Sequence, residues 1–480
     1  MKARKLATIV LFVILATANS GGYRYGIGDQ AFYQPATVLR LHPELFPRDR
    51  ALIESQARLT VVDEALAAAA RVTRLDPPAL FFLLYVVTLV ATAVAAEQLA
   101  TVLGLSPAAT TVFLLLLTLR HRIAKTGANT LEGYMHPRQL AFALGLFAFT
   151  ASMRRRWGWL AICWVLAAVI HPTTALWWAV AIGSGLVLTT AGRQRAVMAL
   201  ALVMLIAGRA LAGWLGLPVM DADWLRVFAA KDYLFASGWP AYAWLINLAY
   251  LPLILLAARA KGDGRLVAPA VALFAVFIAS YALTEAHVAL AVQLQVSRVF
   301  WLMDLMLTLL VAWVFVDSGF AKRHRAMPLA TLAVVMVLAV GRGVFTLYAA
   351  QPGRDFVHID LPAGDWTDAM QFVRWQPADW LVLAHPDHAW LYGTSVRVGA
   401  AHDVVVESVK DSAISMYDRD VAMRTAERLT AVADIDALSS DDLLALGRRM
   451  GASVAVLAVR PALTLPVLYQ NATFAVYDLR

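Results

Sequence analysis

The residues able to do chemistry gather in a few short stretches. Gly21-Gly22-Tyr23-Arg24-Tyr25-Gly26-Ile27-Gly28-Asp29-Gln30 is a glycine-rich turn that presents one carboxylate just after an apolar run. A carboxylate so placed is a candidate proton acceptor. Asp29 also reads as a turn residue that hydrogen-bonds its own backbone. Arg120, His121, Arg122, Lys125, Glu132, His136 and Arg138 crowd the stretch 120–138. Arginine keeps its charge at any ordinary pH and grips oxyanions with a planar fork of donors, so this stretch and Arg298 are candidate anion contacts. Arg298 opens an apolar run, where it can instead snorkel to the interface or pair with Asp304 or Glu285. His171 precedes Pro172-Thr173-Thr174 and reads either as a ligand contact or as part of a cap that starts the next helix. His136, before Pro137, reads also as a hydrogen-bonded turn residue. Arg24, between Tyr23 and Tyr25, reads as a substrate contact or an interfacial belt residue.

Other chemistries are excluded by what is missing. A single cysteine, Cys163, rules out an internal disulfide framework and a Cys-based zinc site. Ten histidines include no His-Glu-x-x-His spacing, and no phosphate loop of the Walker type occurs. Hydrophobic residues make up 60% of the 480 and charged ones only 15%, with a mean hydropathy of +0.65. Such an excess cannot hide in one soluble core and identifies an integral membrane protein. The net charge of +8 conceals a split: residues 1–349 carry +14 and residues 350–480 carry −6. The basic excess flanks apolar spans, which fits membrane topology rather than nucleic-acid binding.

The elements that must position these residues follow from hydropathy. Apolar runs occur at about 6–19, 80–103, 107–119, 139–153, 157–171, 173–191, 196–216, 240–258, 266–284, 297–317 and 327–349. Several fall short of the ~20 residues a straight span needs. With the N-terminus inside and every run crossing, Arg154–Arg156, Arg193/Arg195, Arg259/Lys261/Arg265 and Lys322/Arg323/Arg325 all fall on the cytoplasmic side. The pattern predicts a polytopic α-helical membrane protein of about 11 spans, with residues 350–480 outside the cytoplasm. Lys2–Lys5, Leu6–Ala18 and Ala16-Thr17-Ala18 also describe a cleavable signal peptide; cleavage leaves ten spans and the same orientation. Residues 20–79 form a long first outer loop, where Leu52, Leu59, Val62, Leu66 and Ala69 predict an amphipathic helix on the membrane surface. The tail, 350–480, predicts a small α/β domain with strands at 380–384, 404–407, 453–459 and 473–479. Its helices are predicted at 365–376, 417–433 and 439–450.

Gly28-Asp29-Gln30-Ala31-Phe32-Tyr33, His136-Pro137-Arg138 and His171-Pro172-Thr173-Thr174, set in this architecture, resemble the GT-C superfamily of polytopic glycosyltransferases. That group includes protein O-mannosyltransferases and bacterial lipid A aminoarabinose transferases. The resemblance implies a bacterial inner-membrane enzyme whose C-terminal domain lies in the periplasm. It would transfer a sugar from a polyprenyl-phosphate donor to a glycolipid, glycan or protein acceptor, with inversion. It implies Asp29 as the catalytic base and Arg138, His136 and Arg298 as ligands of the donor phosphate. Arg24, His171 and Glu132 follow as substrate contacts. Many relatives carry two adjacent acids where this chain has Asp29-Gln30, so a divalent metal would need another carboxylate, for which Asp221 and Asp223 are candidates. Two other functions fit the same residues: a transporter or flippase for an amphipathic lipid, and a non-catalytic envelope assembly factor.

Overall fold

The computed structural model describes residues 2–187, 213, 216–228, 231–350 and 352–480. The chain is mostly helical and divides into two compact units. The first comprises Met1–Tyr23, Leu84–Met220 and Lys231–Val357; the second comprises Arg24–Leu83, Asp221–Ala230 and His358–Arg480.

In the first unit each described apolar run becomes a helix, but the expected eleven crossings are not what the helices supply. Among the described residues five segments are long and apolar enough to cross a membrane: Pro77–Val102, Ala241–Lys261, Gly264–Glu285, Ala289–Arg323 and Met327–Ala349. Pro107–Thr118, Pro137–Met153 and Trp157–Ile170 have 12, 17 and 14 residues. A helix rises about 1.5 Å per residue, so these fall short of a ~30 Å hydrocarbon layer unless tilted neighbours or local thinning compensate. The physical cause is punctuation by proline: Pro107, Pro137 and Pro172 each open a helix, where a missing N–H costs nothing. The run at 196–216 and Arg193/Arg195 fall largely outside the described residues.

The short helices pack on one another. Pro137–Met153 lies against both Trp157–Ile170 and Pro172–Val187. Trp178 is fully buried between Phe142 and Phe149, with ring centroids 5.3 and 5.5 Å away. Gly145 makes room for it: a Cβ there would lie 1.9 Å from the indole. Phe142 also stacks on Trp301 of the helix Val299–Val316, at 3.9 Å between centroids.

The second unit is built on a mixed five-stranded sheet. Its strands run in the order Asp403–Val404, Leu381–Ala384, Val454–Ala458, Phe474–Asp478, Val467–Gln470. The first two pairings are parallel and the last two antiparallel. The helices Asp365–Arg374, Arg419–Ala431 and Ser440–Met450 stand where the sequence predicts helices. Ser439 and Asp442 close a capping box at the last of them. The strand Val467–Gln470 is missed by the sequence reading because its side chains are largely exposed and alternate poorly.

This unit also takes in residues 24–83, where the sequence predicts an amphipathic helix. The segment folds as two helices, Arg50–Ala57 and Val62–Thr73, broken at 58–61. Leu52 and Ile53 of the first pack with Phe46, Ala401, Ile414 and Val421. The second packs on the helix Gln30–Leu41, with Leu66 and Ala67 buried. Of the apolar stripe, Leu52, Val62 and Leu66 are covered by protein, while Leu59 is exposed and Ala69 half-buried.

Candidate functional site

In the helical unit the basic stretch 120–138 is a tight hairpin leading into a helix. Arg122–Ile123 pairs with Ala128–Asn129, and Lys125 and Gly127 turn the chain with φ of +51° and +64°. Glu132 is the organising residue and is buried. Its carboxylate accepts from Arg138 Nη2 at 3.2 Å, Arg120 Nη2 at 3.4 Å and Asn129 Nδ2 at 3.0 Å. Arg138 is buried too, donates to Gly127 O at 3.4 Å, and lies 5.8 Å from the centre of the Trp301 ring. Glu132 is thus the counter-ion that holds Arg138 and Arg120 in place rather than an open carboxylate for substrate.

Two histidines adjoin Arg138. His136 caps the helix Pro137–Met153, its Nδ1 accepting from Arg138 N at 3.1 Å. The Nδ1 of His171 accepts from Thr174 N at 3.3 Å and contacts the hydroxyls of Thr173 and Thr174 at 3.1 and 3.0 Å. Both residues therefore have the structural roles that the turn and cap readings foresaw. Because each Nδ1 accepts a backbone N–H, a neutral ring carries its proton on Nε2. The two ring centroids are 6.5 Å apart. Arg298 ends the short 3-10 turn Val296–Arg298, and it, His136 and Arg138 all lie within electrostatic reach of His171. Asp304 accepts from Tyr250 Oη at 2.9 Å and pairs with His121 Nε2 at 3.1 Å, while Glu285 takes Ser237. The bond to Asp304 raises the pKa of His121.

This arrangement gathers four predicted residues, Arg138, His136, His171 and Arg298. Arg138 and Arg120 share the carboxylate of Glu132, and Arg138 and Arg298 both act electrostatically on His171. Guanidinium forks and ring N–H donors are what a phosphate or carboxylate ligand requires.

The second unit holds the other candidates. Asp29 precedes the helix Gln30–Leu41 without capping it by its side chain. Its Oδ1 lies 2.6 Å from Lys410 Nζ, a partner 381 residues away in sequence. Gln30 is fully buried and accepts from Gly26 N at 2.6 Å, pinning the turn. Gln30 is therefore a structural amide. Lys410 rides on the helix Ser408–Ile414, which is anchored by its next residue. Asp411 takes a bidentate fork from buried Arg397 at 2.7 and 3.0 Å. Arg397 Nε donates to Asp49 at 2.7 Å, and Arg424 also pairs with Asp49. Burial opposes the charge of Arg397, but Asp411 and Asp49 outweigh it and hold its pKa well above the usual arginine value. Glu407, equally buried and 4.0 Å from Arg397, has its pKa pushed up to about 7 by burial and by the charge of Asp411. Arg24 is half-buried in the short strand Tyr23–Arg24.

The metal candidates are spoken for by cations. Asp221 pairs with Arg419 at 2.6 Å and caps Trp224 N, and Asp223 pairs with Arg226 at 3.0 Å. Among the described residues no three His, Cys, Asp or Glu side chains come together to hold a metal ion. Sequence reasoning missed Lys410, Asn129 and Arg120 as partners of the candidate residues. Lys410 is separated from Asp29 by most of the chain, and no spacing rule links them. No protein-family model and no curated protein matches this sequence.

Proposed function

We propose that this protein is a membrane glycosyltransferase of the GT-C type, transferring a sugar from a polyprenyl phosphate to a hydroxyl acceptor outside the cytoplasm. The observation that carries the reading is the gathering at helix ends of buried Arg138 and His136 with His171 and Arg298, in a chain that has five long apolar helices among its described residues. In the proposed reaction the acceptor oxygen attacks the anomeric carbon and the bond from that carbon to the phosphate oxygen breaks. The electron pair stays on the phosphate, and the anomeric centre inverts. Arg138 and Arg298 stabilise the charge that grows on the departing phosphate. The resemblance of Gly28-Asp29-Gln30 to the GT-C pattern is what assigns the acceptor's proton to Asp29. Lys410 keeps that carboxylate in position between turnovers. In this topology the helix ends bearing Lys5, Arg154 and Arg265 face the cytoplasm, and the candidate phosphate group faces the opposite side.

The test is transfer of sugar from a synthetic polyprenyl-phosphate donor by the purified protein in detergent, with lipid extracts as acceptor. Asp29→Asn is expected to lower the rate by about 10²–10⁴-fold, the usual contribution of a general base, at unchanged thermal stability. Full activity in that variant removes Asp29 from the reaction. No transfer by the wild type, together with donor movement across sealed vesicles, replaces the transferase with a flippase.

A further inference from the structure

We infer that the helical unit has a second ligand site, a crevice that binds a membrane lipid through an anionic phosphate headgroup held by Lys5 and Arg154. This cavity of about 650 Å³ opens among the helices Lys2–Asn19, Pro77–Val102 and Pro107–Thr118. It lies within the size range of pockets that enclose small ligands, ~300–1,000 Å³. It is separate from the basic group described above. His136 and Arg138 begin the helix Pro137–Met153 and Arg154 ends it, so about 17 residues at ~1.5 Å each put roughly 25 Å between them.

The lining has two characters. Ile9, Val94 and Leu114 give an apolar wall, on helices whose composition suits hydrocarbon. At the polar rim Lys5 Nζ pairs with Glu97 Oε1 at 2.7 Å. Arg154 is half-buried and donates one long bond, 3.4 Å, to Gln98 O. Among the described residues Arg154 makes no ion pair, so two cations face one carboxylate and the rim keeps a positive charge. Thr110 and Thr111 donate their hydroxyl protons to their own helix, to Ser106 O and Pro107 O, which leaves their oxygens facing the crevice as acceptors only.

The ligand chemistry follows from this division. A water-soluble anion gains nothing from the apolar wall, and a neutral apolar molecule gains nothing from the rim. An amphipathic lipid satisfies both, with its chain along Ile9, Val94 and Leu114 and its phosphate on the guanidinium fork of Arg154. The surplus charge selects a headgroup of net negative charge over a zwitterionic one. Two membrane components have that chemistry, an anionic glycerophospholipid and a polyprenyl phosphate, and their masses tell them apart.

The experiment is native mass spectrometry of the full-length protein released from nanodiscs, titrated separately with phosphatidylglycerol, phosphatidylethanolamine and a polyprenyl phosphate. Wild type is expected to hold one anionic lipid with at least ten-fold preference over phosphatidylethanolamine. Lys5→Gln/Arg154→Gln is expected to lose that preference, while Arg138→Ala keeps it. Thr111→Phe, which fills the crevice and leaves the charges alone, is expected to weaken retention about ten-fold and serves if the double variant fails to fold. Equal retention of phosphatidylethanolamine, or undiminished anionic binding in both crevice variants, overturns the proposal. Loss in Arg138→Ala alone assigns the lipid to the other site and also overturns it. None of these outcomes depends on sugar transfer.

Discussion

At the residue scale, the meaning of each candidate changes once its partner is known. Glu132 looks like a spare acid in a basic loop, yet it accepts from Arg138, Arg120 and Asn129 and is almost wholly buried. Removing one partner of such a pair leaves the other as a buried uncompensated charge, which typically costs ~3–5 kcal/mol. Glu132→Ala is therefore expected to lower thermal stability in detergent by an amount of that order. Glu132→Gln, which retains an acceptor oxygen, is expected to cost less. Equal stability of Glu132→Ala and wild type rejects the counter-ion role. His136 and His171 have structural roles: each uses Nδ1 to accept a backbone N–H at the start of a helix.

At the element scale, close packing among short helices holds the basic group in place. The helix that starts at Pro137 carries Arg138 at one end, and Gly145 lets the buried indole of Trp178 approach its backbone. Alanine is the better helix former by about 1 kcal/mol. A Cβ 1.9 Å from the Trp178 ring nevertheless demands that the ring or the helix move. Overpacking of this kind costs ~1–3 kcal/mol or more, so the clash outweighs propensity. Gly145→Ala is expected to lower the melting temperature and to weaken anion binding at Arg138. An unchanged melting temperature would show that the indole can relocate freely. The turn before Asp29 shows the same dependence on small residues: at Gly26, with φ of +79°, a Cβ would meet Leu361 and Val398 at 2.9 and 3.0 Å.

At the scale of the whole molecule, the second unit is assembled from distant segments by buried charge. Asp49 binds Arg397, Arg424 and the backbone N–H of Val404, and Asp403 takes the backbone N–H groups of Arg48 and Asp49. Glu407, in the same cluster, makes stability depend on pH. Its folded pKa, about 7, exceeds the ordinary value of 4.5. Between those values the unfolded chain has released this proton and the folded one retains it, so stability falls as pH rises and levels off above about 7. Glu407→Gln is expected to flatten that part of the profile of melting temperature against pH. An identical slope in the variant would place the titration elsewhere. The amino-acid sequence alone determined the membrane class, through its apolar excess, and the helical runs, through their hydropathy and prolines. It also determined most of the tail's strands and helices, through β-branched runs and a cap at Ser439. These are local properties, readable within a window of one or two turns. It also marked Arg138, His136, His171 and Arg298, because charge beside apolar sequence is conspicuous. Only the tertiary structure decided that the stripe at Leu52 and Leu66 is covered by protein, that Gln30 is a buried pin, and that Asp29 meets Lys410. Each of those depends on segments brought together across tens to hundreds of residues, and side-chain pairing at that distance leaves no periodic trace in one chain.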